Sequence, residues 1–199
     1  MAASSLMVPL GTPAPDFKLP SVQGPHVALA DLDGPALLVM FLCNHCPYVR
    51  HVERALAATA AEHAERGVAA VGICSNDTDA YPTDGPAGLA EQARRAGFAF
   101  PYLVDDAQQA ARAFRAMCTP DLFVYDARRT LAYRGAFDDS TPGNGLPVTG
   151  GHLRRALDLV LAGEPVPEPH RPSSGCSLKW KPGNQPDWLI TVKEGRASP

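Results

Sequence analysis

The sequence is short of what would place it in a bilayer or on nucleic acid. Its longest apolar run, Ala36–Cys43, falls far below the roughly 20 residues that a spanning helix needs. Lys plus Arg number 18 against 21 Asp plus Glu, a formal net charge of −3 with no basic stripe, so an electrostatic grip on phosphates is excluded. No basic residue precedes Lys18, so residues 1–15 lack the positive start of a secretory signal. Glycine is abundant, yet no G-x-y period appears, and collagen is excluded. The five cysteines, Cys43, Cys46, Cys74, Cys118 and Cys176, are odd in number and scattered. They do not make a secreted disulfide framework, and the expectation is a reducing, cytoplasmic location.

What is present is enough for a packed core. Hydrophobic residues make up 45% and charged residues 20% of 199 positions, which fits one domain with appendages. Pro (20) and Gly (17) call for many turns and an extended segment. Residues 11–20 read as turn-rich, and Val27–Leu32 as a short edge strand. Ala36–Leu42 is continuously apolar and reads as a strand buried on both faces. From Pro47 to Glu65, Val49, Val52, Leu56 and Ala60 recur at helical spacing, and Gly67 stops the helix. Val68–Cys74 is a second buried strand, and Ser75–Gly85 a polar loop holding Asn76, Asp77, Asp79 and Asp84.

Further on, helices are expected over Pro86–Ala96, Ala107–Met117 and Gly151–Ala162. Strands are expected at Tyr102–Val104, Leu122–Tyr125 and Thr130–Tyr133, the last two joined by a turn at 126–129. This alternation predicts an α/β sandwich with a largely parallel central sheet and a terminal hairpin. At Glu164 the composition shifts, with seven prolines in the last 36 residues. The reading is therefore a domain over 1–163 and a Pro-rich tail over 164–199. Because Trp180 and Trp188 sit in that tail, it is expected to pack on the domain, not to act as a loose linker.

The chemistry concentrates in Cys43-Asn44-His45-Cys46-Pro47. Two cysteines two residues apart stand where a buried strand hands over to a helix. Unpaired N–H groups and the partial positive charge of a helix N-terminus stabilise a thiolate. On this reading Cys43 is exposed, has the lowered pKa and attacks, and Cys46 resolves the mixed disulfide. A protonated His45 would favour the thiolate further. Pro47 suits the first turn of a helix. The same pair is also half of a zinc site, but the other three cysteines are single and supply no second pair. Thr119-Pro120 precedes a strand, where sterics alone permit a proline. The functional alternative is a cis-proline loop facing the two cysteines, with the Thr119 backbone pairing with a partner chain.

Three segments carry a family resemblance: Phe-Leu-Cys-Asn-His-Cys-Pro-Tyr at 41–48, Cys-Thr-Pro-Asp at 118–121, and Gly-Cys-Ser-Leu-Lys-Trp-Lys-Pro-Gly-Asn at 175–184. With Ala14-Pro15-Asp16-Phe17, they resemble a bacterial branch of thioredoxin-like proteins grouped with the AhpC/TSA redoxins and called peroxiredoxin-like. The resemblance implies a thioredoxin fold: a three-layer α/β/α sandwich with a mixed sheet, an N-terminal extension, a redoxin insertion and a wrapping tail. It implies thiol–disulfide exchange with Cys43 as nucleophile, Cys46 as resolving cysteine and Pro120 as the cis-proline. His45 joins the catalytic group, while Asn44 and Thr119 line the substrate side. The implied partner is a disulfide-containing protein or small thiol, recharged by a thioredoxin or glutathione system. Neither cofactor nor metal is required, and neither nucleic acid nor membrane is a partner.

The sequence also departs from the peroxidases of that group. Peroxiredoxins place a Thr three residues and a Pro seven residues before the peroxidatic cysteine. Here those positions hold Cys43 and Val39 before Cys46, or Met40 and Ala36 before Cys43. The peroxiredoxin arginine is here Pro120. A peroxide thus lacks its activating cradle, although peroxidase activity in an antioxidant role stays an alternative. The Asn44-His45 pair instead resembles disulfide isomerases and implies a more oxidising couple. A third reading is a copper or zinc module using Cys43, Cys46 and His45. Cys118 and Cys176 are candidate additional redox thiols, Cys74 reads as core, and His26, His51, His63, His152 and His170 read as solvated.

Overall fold

The computed structural model describes residues 2–189. Along the chain run β1 (Ala2–Ser4), β2 (Lys18–Ser21), β3 (Gly24–Ala28), β4 (Ala36–Phe41), α1 (Pro47–Ala64), β5 (Val68–Cys74), α2 (Pro86–Ala96), β6 (Tyr102–Val104), α3 (Gln109–Phe114), β7 (Cys118–Thr119), β8 (Asp121–Asp126), β9 (Leu131–Gly135), α4 (Gly151–Leu161) and β10 (Ser174–Ser177). Seven strands form a mixed sheet in the order β3-β2-β6-β5-β4-β8-β9. β6, β5 and β4 are parallel, and the flanking pairs are antiparallel. β4 is buried along its whole length, so its alternating side chains serve two cores. Leu38 and Met40 face the layer of α1, α2 and α4. Leu37, Val39 and Phe41 face α3, with Phe17, Phe114 and Leu178. Among the described residues no helix is long and apolar enough to cross a membrane.

Three boundaries differ from the sequence reading. The edge strand ends at Ala28, and Leu29–Asp31 form a short 3-10 turn, because the Asp31 carboxylate accepts the Ala28 N–H at 2.8 Å. Part of the stretch read as turn-rich pairs as β2. α3 is shorter than expected: buried Asp105 accepts the Gln109 and Ala111 N–H groups at 3.0 and 2.9 Å and starts the helix there. Arg115, with φ 56°, ends it.

The tail lies on the domain and contributes a strand that composition did not signal. β10 sits between β1 and β7 in a separate antiparallel ribbon. Beyond β10, buried Gln108 clasps the chain. Its amide N–H donates to the Ser75 and Lys179 carbonyls at 2.7 and 2.9 Å, and its oxygen accepts the Lys181 N–H at 2.9 Å. Trp180 and Trp188 meet edge to face at 6.4 Å, and the Arg115 guanidinium lies over Trp188.

Candidate active site

The turn from β4 into α1 carries both cysteines, and one buried carboxylate shapes it. Asp84 accepts the backbone N–H groups of Asn44 (2.9 Å) and His45 (3.1 Å), the Asn76 amide (2.8 Å) and the His45 ring at Nδ1 (2.6 Å). Burial pushes its carboxyl up, but His45, Asn76 and the backbone donors outweigh that and hold it below the usual range. The His45 ring stacks on Tyr81 at 4.8 Å. Asn44 is buried, with its amide donating to the Thr83 and Gly88 carbonyls and its oxygen accepting from Arg95. That side chain holds the turn together and presents nothing outward.

The sulfurs converge on Thr119, and the Thr119–Pro120 bond is cis. Cys43 Sγ lies 3.2 Å from Thr119 Oγ1, and Cys46 Sγ lies 3.1 Å from the Thr119 carbonyl oxygen. Cys46 is the N-cap of α1 and Pro47 its first residue. The adjoining Cys43 thiol lowers the Cys46 pKa to about 4 against the drag of burial. The Cys176 thiol, the Val49 N–H and Thr119 favour the Cys46 thiolate further. The Thr119 carbonyl suits only the protonated form, so ionisation swaps that contact for the donors. Cys43 moves the opposite way, pushed up by the adjoining Cys46, by burial and by the charge of Asp84.

A model of the AhpC/TSA family matches residues 10–134. The chain belongs to this family. An uncharacterised conserved protein from Geobacillus kaustophilus is similar to this AhpC/TSA protein at 47% identity, over 92% of this chain and 98% of that one, with a TM-score of 0.90. A hypothetical protein from Sinorhizobium meliloti is similar at 46% identity, over 90% and 99% of the two chains, with a TM-score of 0.89. A thiol:disulfide interchange protein of the thioredoxin family from Chlorobium tepidum shares 23% identity over 76% and 97%, with a TM-score of 0.59. That last likeness is one of fold, and the AhpC/TSA protein has the thioredoxin fold. No curated protein matches the chain.

Several side chains sit differently from the sequence reading. Cys43 is not the exposed, acidified thiol: it is fully buried just beyond β4, and the helix is capped three residues later, by Cys46. Cys46 is buried as well, beneath β10. The Thr119 edge is not open to a partner, because β10 pairs with it, Cys176 opposite Thr119. Cys118 points away, its sulfur 3.6 Å from the Pro120 carbonyl, and burial pushes its pKa up. Cys74 is buried in the core, where burial pushes it up. His63 and His170 are buried instead of solvated, against the Thr59 carbonyl and against Arg134 and Tyr133. A metal would find Cys43, His45 and Asp84 with donor atoms within 4.8 Å of one another, not the Cys43–His45–Cys46 set. Asp84 was one of several acids in a polar loop, and nothing in the sequence singled it out. Gln92, which donates to the Cys43 carbonyl at 3.2 Å, lay unmarked in the second predicted helix.

Proposed function

We propose that this AhpC/TSA redoxin is a thiol–disulfide oxidoreductase that exchanges a Cys43–Cys46 dithiol for a disulfide. The observation that carries this is the pair of cysteines on the turn that opens α1, both sulfurs within 3.2 Å of Thr119 before its cis bond to Pro120. The geometry favours Cys46 as the attacking thiolate and Cys43 as the resolving thiol, the reverse of the order read from sequence. Attack by Cys46 on a disulfide gives a mixed disulfide; Cys43 then attacks Cys46 Sγ and releases the second thiol. His45, fixed by Asp84 and Tyr81, acts as a positioning residue for the turn. Supply by a thioredoxin- or glutathione-type reductant in a reducing compartment fits the scattered, odd cysteines. A redox titration in glutathione buffers with mass mapping tests it. One reversible disulfide between Cys43 and Cys46 is expected, lost in Cys46→Ser; its absence at every potential would reject the proposal.

Hydroperoxide reduction is the second reading, favoured by the family match and by the ionised Cys46 at a helix N-terminus. Cys43 stands where the peroxidase threonine would be and Pro120 where its arginine would be, so the activating donors differ. Oxidation of Cys46 by hydrogen peroxide no faster than a free thiol eliminates this reading.

A further inference from the structure

The proposed dithiol is sealed. Cys43 and Cys46 each have 0% exposure, whereas Cys176 is partly exposed. β10 lies along the Thr119 edge that both sulfurs touch, antiparallel to β7 with Cys176 opposite Thr119 and Ser177 opposite Cys118. Gly175 lets this strand press home. A Cβ there would stand 2.0 Å from the Thr119 carbonyl oxygen, so β10 fits this edge only with glycine at that point. The next residue is Cys176, opposite Thr119 and packed against the cluster that holds Cys46. Cys176 therefore sits where the cysteine of a bound partner strand would sit, supplied by the chain itself. Cys43, Cys46 and Cys176 thus gather around Thr119, the first two buried and the third partly exposed.

We propose that Cys176 is the entry thiol of this site, a catalytic residue that carries disulfides between solvent and the buried pair. The proposal rests on the dithiol reading above. An external disulfide R–S–S–R meets Cys176 first. Cys176, its proton lost to solvent and its thiolate favoured by the charge of Lys179, attacks one of the disulfide's sulfurs. A Cys176–S–S–R bond forms and one RS⁻ leaves. Cys46 then attacks Cys176 Sγ, forming Cys46–Cys176 and releasing the second RS⁻. Cys43 attacks Cys46 Sγ, breaking that bond and leaving Cys43–Cys46. Two electrons pass from Cys43 and Cys46 to R–S–S–R, giving two RSH with solvent completing the protons, and Cys176 ends as it began. Lys179 supports the cycle, since its charge favours an ionised Cys176 against the burial and the Cys46 charge that push its pKa up to about 11.

Oxidised glutathione serves as R–S–S–R in the test, with non-reducing digestion and mass mapping over time. In Cys43→Ser the last step is blocked, and a Cys46–Cys176 disulfide is expected to accumulate. In Cys176→Ser and in Cys176→Ala, Cys43–Cys46 should form about tenfold or more slowly, because the buried sulfurs then react only when β10 opens. Two variants separate loss of the thiol from a local disturbance by either replacement. A Cys43–Cys46 disulfide that forms as fast or faster in both overturns the entry role and leaves the dithiol intact, as does Cys43→Ser protein without the Cys46–Cys176 bond. A wild type that forms no Cys43–Cys46 disulfide removes the dithiol reading and this one with it.

Discussion

Gly175→Ala tests the seal directly. Its Cβ would meet a backbone oxygen at 2.0 Å, where ordinary contact begins at 3.4 Å, so β10 must retreat by about 1.4 Å. Backbone cannot yield as a flexible side chain does, and a shift of that size takes the β10–β7 hydrogen bonds beyond their useful range. Two or three ladder bonds at about 1 kcal/mol each give a loss of roughly 2–3 kcal/mol. If the strand opens locally, its open population rises about 30- to 150-fold. If it stays coupled to the domain, the melting temperature falls by about 5–10 °C. The assay is iodoacetamide labelling of Cys46 under native conditions, read by mass spectrometry beside a thermal melt. Cys46 should label far faster than in wild type. Because its pKa lies at about 4, the rate should stay flat from about pH 6 to 9. Unchanged labelling together with an unchanged melt would refute the argument that glycine is needed for β10 to close.

Two further substitutions probe the supports of the site. Asp84→Ala leaves the Asn44 and His45 N–H groups, the His45 ring and the Asn76 amide without their shared acceptor. Urea unfolding should show a loss of about 3 kcal/mol or more, and a loss under about 1 kcal/mol would contradict the role given to this carboxylate. Asp121, buried at the start of β8, has its carboxyl pushed up by burial to about 7, from 3.8. Between about pH 4 and 7 the folded state keeps a proton that the unfolded state has lost, so stability falls as pH rises through that window and is level above it. Asp121→Asn should flatten this slope in melts taken from pH 5 to 8.5; a slope equal to that of wild type argues against the assignment.

The parts of the site that were legible in the sequence are local. An apolar run followed by Cys-x-x-Cys-Pro and then helical spacing is a complete statement of strand, turn and helix within about two dozen residues. The sequence reading set Cys43 at the helix N-terminus, although Pro47 at the first helical position already makes Cys46 the cap. Asp84 could not be picked from Asp77 and Asp79, because its selection depends on the turn at 43–46 folding over it from about 40 residues away. β10 was invisible for a different reason. Ser174-Gly175-Cys176-Ser177 has no apolar alternation, and what makes it a strand is the ribbon position between β1 and β7, both far from it in the sequence.

The β1-β10-β7 ribbon has a consequence for biosynthesis. The cysteine turn and Thr119 leave the ribosome well before residues 174–177, and the first strand of the ribbon, at residues 2–4, waits for its mate until those residues are made. Until then the nascent chain carries bare sulfurs with no lid, so oxidants in the cell meet Cys46 most readily during synthesis. Closing the ribbon is thus a late step, since it waits for residues 174–177 to reach residues 2–4 and 118–119.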